Sequence, residues 1–177
     1  NVLLHLICAL LIYELARSLL PDTPITTKSG TETGSTASDS LHSSGAIPLV
    51  VAAIFLVHPI NTEAVTYISG RTDPMMTLFL ISSLLLFRAA HLNPRISLRY
   101  AAYALSMICF LGALLSREAS FIYPLILLWY GFVFLRPISA ERRRWWFKVI
   151  PFFVIAAIFL VWRTHVLRDA STAMLSY

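Results

Sequence analysis

The sequence predicts an all-α fold: one polytopic membrane bundle of about six transmembrane helices, with a short interfacial helix. Of the 177 residues, 58% are hydrophobic and 13% are charged, whereas soluble domains carry about 25% charged residues. The mean hydropathy of +0.74 also indicates an integral membrane protein. The apolar residues fall into runs close to the roughly 20 residues that a helix needs to cross a bilayer. We therefore expect residues 1–177 to form a single domain surrounded by lipid.

The apolar runs follow one another along the chain, and each predicts one membrane helix. Two of them are short, because apolar residues extend only over 47–57 before His58 and over 74–87 before Arg88. Both fit a membrane helix that is tilted or packed inside the bundle. The predicted spans cover about residues 1–20, 45–60, 73–91, 97–115, 119–135 and 146–165.

The segment between the first two spans, residues 21–45, is rich in Ser, Thr and Gly and nearly devoid of apolar residues. Such a segment cannot bury a core, so we predict a disordered loop. The chain opens with Asn1 directly before an apolar run, without the initiator Met or the basic region and cleavage site of a signal peptide. We therefore expect the chain to be a fragment of a longer protein.

Composition argues against several classes of function. We attribute the net charge of +5 to cytoplasmic loops rather than to nucleic-acid binding. Cys8 and Cys109 lie inside apolar runs and are expected to be reduced. The five His residues show no ligand spacing, so no metal site is predicted. No Gly-rich phosphate loop or nucleophile elbow is present in the sequence, and no cofactor is predicted.

The basic residues also predict how the chain is oriented. If the first span runs from the outside to the cytoplasm, ten of the 14 Lys and Arg residues fall on the cytoplasmic side and four on the other side. Membrane proteins carry most such residues in their cytoplasmic loops, which supports this orientation. Three segments, residues 58–73, 116–118 and 163–169, are then predicted to meet on the non-cytoplasmic face.

The first of these segments predicts a short helix at the membrane surface. Pro59 lacks an N–H and should end the preceding helix. Asn61 can cap a new helix, and Glu63 in its first turn would interact with the positive end of the helix dipole. Gly70 is a typical residue just after a helix end. Asp73, followed by Pro74, is predicted to cap the third span.

Ionisable side chains at this face are the candidate site residues. Such groups beside hydrocarbon need water, a partner or a ligand. Arginine in particular suits a phosphate, because its planar fork donates two parallel hydrogen bonds. The candidate substrate-binding residues are His58, Glu63, Arg71, Asp73, Arg117, Glu118 and Arg163.

The residues alone leave simpler explanations open. Glu63 can pair with Arg71 at the interface, so that neither binds a ligand. Arg117 and Glu118 can simply solvate a tight turn between two spans. Arg163 can pair with Glu118, reach a lipid phosphate or extend its charged end out of the membrane. For the segment of residues 58–73, we weigh the ligand-binding and structural explanations equally.

The motifs resemble the membrane part of the transmembrane and tetratricopeptide-repeat O-mannosyltransferase-like proteins, bacterial relatives included. The resemblance covers residues 1–168 except the Ser/Thr-rich loop. Ser116-Arg117-Glu118 departs from the Ser-Lys-Glu that is usual in the family, but it keeps the order of charges. The residues that carry the resemblance are Asn1-Val2-Leu3-Leu4-His5, His58-Pro59, Thr62-Glu63-Ala64-Val65, Gly70-Arg71-Thr72-Asp73 and Leu114-Leu115-Ser116-Arg117-Glu118.

The resemblance implies a GT-C fold glycosyltransferase related to the protein O-mannosyltransferases. Such an enzyme moves a sugar, here mannose, from a polyprenyl-phosphate donor to a Ser or Thr hydroxyl of an acceptor protein. It works on the periplasmic face of a bacterial inner membrane or the lumenal face of the endoplasmic reticulum. Its catalytic Asp lies on the first external loop, which we expect upstream of Asn1, and its repeat domain is expected downstream. The fragment alone is therefore expected to be inactive.

Within this hypothesis the candidate residues take different roles. Arg117, Arg163 and Arg71 would stabilise the departing phosphate, whereas His58, Glu63 and Asp73 would shape the pocket or orient the acceptor. A different class remains open: a structural or accessory subunit of a membrane complex, without catalytic activity. A transporter fragment is a weaker alternative, because charged groups near a membrane face also bind ions.

Overall fold

The computed structural model describes residues 1–20, 38–61, 68–134 and 139–175, and it confirms an all-helical fold within these ranges. Four helical segments there are long and apolar enough to cross a membrane: Val2–Leu19, Thr72–Leu92, Ile96–Ser116 and Trp145–Val166. Two further apolar segments are shorter, Ala46–Val57 and Glu118–Val133. Length and composition thus make four of the described helical segments candidate membrane spans, fewer than the six that the sequence predicts.

Among the described residues, one α-helix overlaps each of the six predicted spans, although the bounds differ. Short 3-10 turns connect some of them, at Pro59–Asn61, Ile68–Arg71 and Glu118–Ile122. The helices are α1 (Val2–Leu19), α2 (Ser38–Val57), α3 (Thr72–Leu92), α4 (Ile96–Ser116), α5 (Tyr123–Phe134) and α6 (Ser139–Leu175).

Helices α3 and α4 form an antiparallel pair that is joined at its middle by two serines. The Ser83 hydroxyl donates to the Ser106 carbonyl at 2.8 Å, and the Ser106 hydroxyl lies 2.8 Å from the Ser83 carbonyl. Both residues are fully buried. Hydroxyls in an apolar bundle need such partners, and small residues let two helices approach closely. Gly112 contributes to the same approach, because a Cβ there would lie 3.3 Å from the Phe79 ring.

An aromatic cluster packs α6 against α3, α4 and α5. Its central residue is Phe152, which is fully buried and lies 5.5 Å from the Phe87 ring, 5.6 Å from Phe110 and 5.9 Å from Tyr123. Aromatic pairs at such distances add to the stability that their buried area provides. The core therefore lies in the part of the chain from α3 to α6.

Helix α1 packs against α2 and α3. The His5 ring stacks on Phe55 of α2 with 4.8 Å between centroids. The Cys8 thiol donates a hydrogen bond to the Pro74 carbonyl at 3.3 Å, near the start of α3. At the other end of the same pair, the Arg88 guanidinium donates to the Ser18 carbonyl. Helices α1 and α3 consequently run in the same direction.

Several local predictions are tested by the helix boundaries. Helix α2 ends at Val57, as expected from Pro59. It begins at Ser38, so the end of the predicted loop, residues 38–45, is helical. Ser and Asp at the start of α2 are residue types that favour helix N-termini. The same residue types are common in loops, so composition alone predicted a loop here. Residues 21–37 of that loop lie outside the described residues.

The entrance to α3 also differs from the prediction. The helix begins at Thr72, one residue before the expected cap, and Asp73 lies within its first turn. The 3-10 turn Ile68–Arg71 runs directly into α3 because Arg71 already has helical backbone angles. The predicted interfacial helix falls mainly on residues 62–67, which lie outside the described residues.

The close packing of α5 on α6 gives a first test. A Cβ at Gly131 would overlap the Trp145 indole, which is 3% exposed and edge-on to Phe87 at 4.8 Å. The ring cannot move without disturbing this packing, so Gly131→Ala should lower the free energy of unfolding by about 1–3 kcal/mol. Thermal or denaturant unfolding in detergent micelles measures the change.

Gly112→Ala is the matched control for this substitution. Its added Cβ meets Phe79 at 3.3 Å, which a small shift of the ring relieves. Alanine also favours a helix over glycine by about 1 kcal/mol. Gly112→Ala should therefore change stability much less than Gly131→Ala, and equal effects would contradict the proposed contact with Trp145.

Candidate functional site

Two ion pairs lie at one end of the bundle. The Arg117 guanidinium pairs with the Asp73 carboxylate, and the Arg163 guanidinium pairs with the Glu118 carboxylate. We call these four residues the charged end. They come from α3, from the turn between α4 and α5, and from α6. Three distant segments that the sequence predicts to share one face are thus in contact at this end.

The turn after α4 directs its two charged residues to different helices. Arg117 has an extended backbone (φ −158°, ψ 141°), and its N–H bonds the Ala113 carbonyl, which ends α4. The Ser120 hydroxyl donates to the same Ala113 carbonyl at 2.9 Å, and the Ser120 N–H donates to the Arg117 carbonyl at 3.2 Å. These bonds fix the turn, so that Arg117 reaches α3 while the adjacent Glu118 reaches α6.

Asp73 is positioned by the start of α3. A carboxylate in the first turn of a helix is stabilised by the positive end of the helix dipole. The Thr77 hydroxyl donates to the Asp73 carbonyl at 2.9 Å within the same turn. The Cys8 contact with Pro74 holds this turn against α1. Asp73 is therefore a fixed partner for the longer Arg117 side chain.

Both ion pairs are partly exposed. Side-chain exposure is 51% for Arg117 and 39% for Asp73 in one pair. It is 33% for Arg163 and 61% for Glu118 in the other. Pairs with this much solvent access contribute about 1 kcal/mol or less to stability. The arginines can consequently exchange a carboxylate for another anion at little cost to the fold.

The remaining candidates are only partly placed. Arg71 is exposed at the start of α3 and forms no ion pair with a described residue. His58 directly follows α2, is exposed, and belongs to neither ion pair of the charged end. Glu63 lies outside the described residues, so its proposed pairing with Arg71 stays a prediction. Of the alternatives for Arg163, pairing with Glu118 is confirmed.

The charged end consists of two guanidinium groups and two carboxylates. Its four described charges sum to zero, and Arg71 nearby adds a positive charge. Among the described residues, no group of three or more His, Cys, Asp or Glu side chains could hold a metal ion. The two carboxylates hold the two guanidinium groups in position at this end of the bundle.

Sequence reasoning gave no role to His5, which the structure buries between α1 and α2. Its ring is 8% exposed, and its Nε2 atom has no hydrogen-bond partner in the described part of the chain. A single His in an apolar run resembles any core residue. Its stacking on Phe55 locates it beside α2, and the bond from Cys8 to the Pro74 carbonyl places the next turn of α1 beside α3.

The opposite end of the bundle carries a second polar cluster. Arg88 donates to the Tyr130 hydroxyl at 3.1 Å, and Lys148 Nζ lies 3.2 Å from His91 Nδ1. The sequence analysis assigns Arg88 and Lys148 only to the cytoplasmic side. The structure shows that these contacts connect α3 to α5 and α6.

Comparisons with profiles of known protein families, with curated proteins and with solved structures found no match to this chain. The geometry of the charged end is therefore the structural basis for a functional proposal.

A double-mutant cycle tests how strongly the charged end is held together. Glu118→Gln, Arg163→Gln and the double variant should give a coupling free energy of about 0.5–1 kcal/mol, because both side chains are partly solvated. Unfolding in detergent at low and high salt measures it, and the coupling should fall as salt rises. A coupling of several kcal/mol would instead indicate a structural pair that a ligand cannot displace.

Proposed function

We propose that this chain is the membrane part of a GT-C fold glycosyltransferase. It would help to transfer a sugar, mannose, from a polyprenyl-phosphate donor to a Ser or Thr hydroxyl of an acceptor protein. The observation that carries the proposal is the charged end: arginines from the α4–α5 turn and from α6, held by weak ion pairs at one end of an apolar bundle. The motif resemblance around residues 58–73 and 114–118 points to the same chemistry.

Phosphate recognition follows from the donor groups of the two arginines. Each guanidinium can donate parallel hydrogen bonds to phosphate oxygens. During transfer, the bond between the anomeric carbon and the phosphate oxygen breaks, and negative charge grows on the leaving phosphate. Arg117 and Arg163 would stabilise that charge, and Arg71 would add a third cation.

The other candidate residues, His58, Glu63 and Asp73, are assigned to the acceptor hydroxyl. His58, Glu63 and Asp73 would orient the hydroxyl that attacks the anomeric carbon, and a general base would take its proton. Neither Asp73 nor Glu118 is assigned as that base.

The proposed topology uses all six helices as spans, with the shorter α2 and α5 packed within the bundle. The charged end would then face the periplasm or the lumen of the endoplasmic reticulum. The distribution of Lys and Arg supports this orientation. A lipid-linked donor would reach such a site from the membrane, and the acceptor protein would reach it from the aqueous side.

Arg117→Ala in the full-length protein tests the proposal. Transfer from a polyprenyl-phosphate sugar to an acceptor should fall by about 100-fold or more, because a group that stabilises the leaving phosphate is lost. The free energy of unfolding should fall by about 1 kcal/mol or less, since the pair with Asp73 is partly exposed. A lipid-linked sugar transfer assay and detergent unfolding measure the two effects separately.

Arg95→Ala is the matched control, because Arg95 is an exposed arginine between α3 and α4 at the other end of the bundle. It should leave transfer unchanged. Arg117→Lys should recover only part of the activity, since an ammonium lacks the planar fork. Equal loss of fold and activity in Arg117→Ala would make Arg117 a structural residue, as expected for an accessory subunit.

A further inference from the structure

His5 is a buried polar group that the charged end does not use. Its side chain is 8% exposed, yet its Nε2 atom finds no hydrogen-bond partner in the described part of the chain. A buried polar atom without a partner destabilises the folded state, and such atoms are rare in native proteins. The cost is larger where hydrocarbon replaces water around the protein. His5 therefore needs an explanation other than stability.

The position of His5 follows from its neighbours. One turn further along α1, the Cys8 thiol bonds the Pro74 carbonyl at 3.3 Å. Helices α1 and α3 run in the same direction, so a residue one turn before Cys8 lies level with the residues that precede Pro74. These include Arg71 and Asp73. His5 is thus at the level of the charged end along α1, with its ring packed on Phe55 of α2.

One face of the His5 ring is covered by Phe55 of α2. The His5 and Phe55 rings stack at 4.8 Å with an interplanar angle of 28°. The Asn61 side chain bonds the Phe55 carbonyl at 2.6 Å and so ties the end of α2 to the turn that follows it. The imidazole is held in one orientation by this packing, and a held polar group can bind a ligand without a further loss of entropy.

We infer that His5 binds the phosphate of the lipid-linked donor through Nε2, from beneath the arginines of the charged end. This inference rests on the proposed function and adds a residue to its phosphate site. An imidazole N–H donates to a phosphate oxygen, and the bond is strong because the acceptor is charged. The ligand would supply the hydrogen bond that the protein lacks.

The test uses His5→Phe and His5→Gln in the full chain, with His165→Phe as the matched control. Phenylalanine keeps a ring against Phe55 but removes the polar atoms, whereas glutamine keeps a donor. His165 is exposed on α6. The probes are undecaprenyl phosphate and phosphatidic acid in mixed micelles, which share the phosphate and differ in the lipid. Dissociation constants and ligand-free Tm values are measured.

His5→Phe should raise the ligand-free Tm by about 2–4 °C, because an unsatisfied buried group is removed. It should weaken binding of undecaprenyl phosphate by about tenfold or more, since a hydrogen bond to a charged group is lost. His5→Gln should bind more tightly than His5→Phe. His165→Phe should leave the affinity unchanged.

Each other result is decisive. Unchanged affinity in His5→Phe, with a raised Tm, would overturn the inference and leave the proposed function standing. A ligand-free Tm that does not rise would show that Nε2 already has a partner, which also overturns it. Equal binding of phosphatidic acid, with the same loss in His5→Phe, would support the phosphate contact but contradict a polyprenyl donor. Failure of the unaltered protein to bind either lipid would overturn both proposals.

Discussion

The exclusion of charge from hydrocarbon is the constraint on which the arrangement of this protein depends. Helix α4 has 21 residues, which corresponds to about 31 Å along its axis. It therefore carries Arg95 and Arg117 to opposite ends of the bundle, and charges from other helices collect with them. A connection as short as the α4–α5 turn leaves no choice about which face its residues occupy. The charged end is consequently a product of helix length and chain direction.

Packing in the apolar middle determines which charges meet. Ser83 and Ser106 fix α3 against α4, and Asp73 and Arg117 lie at nearly equal distances along their helices from that contact. On α6, Phe152, Phe159 and Arg163 follow one another on one face over about three turns. Because the first two pack into the aromatic core, Arg163 is aligned with Glu118 at the end of that face.

This dependence explains what could be predicted from the sequence. Apolar runs and the helix-ending Pro59 locate the helices, since hydropathy and proline act locally. That Asp73, Arg117, Glu118 and Arg163 lie at one end of the bundle follows from alternating chain direction. The pairing of Arg117 with Asp73 could not be predicted, because it depends on the register of α3 against α4. The helical start of α2 at Ser38 was not predicted, because the same residue types, such as Ser and Asp, are common both at helix N-termini and in loops.

His5 shows a different limit of sequence reasoning. An isolated polar residue in an apolar run gives no signal of whether its polar atoms are satisfied, which only the packing of neighbouring helices decides. The arginines of the charged end are oriented by carboxylates and are stable without a ligand, whereas the buried imidazole is oriented by stacking and lacks a partner at Nε2. In the proposed site, a phosphate would displace weak ion pairs on its solvent side. On its buried side it would satisfy the His5 Nε2 atom, which has no hydrogen-bond partner among the described residues.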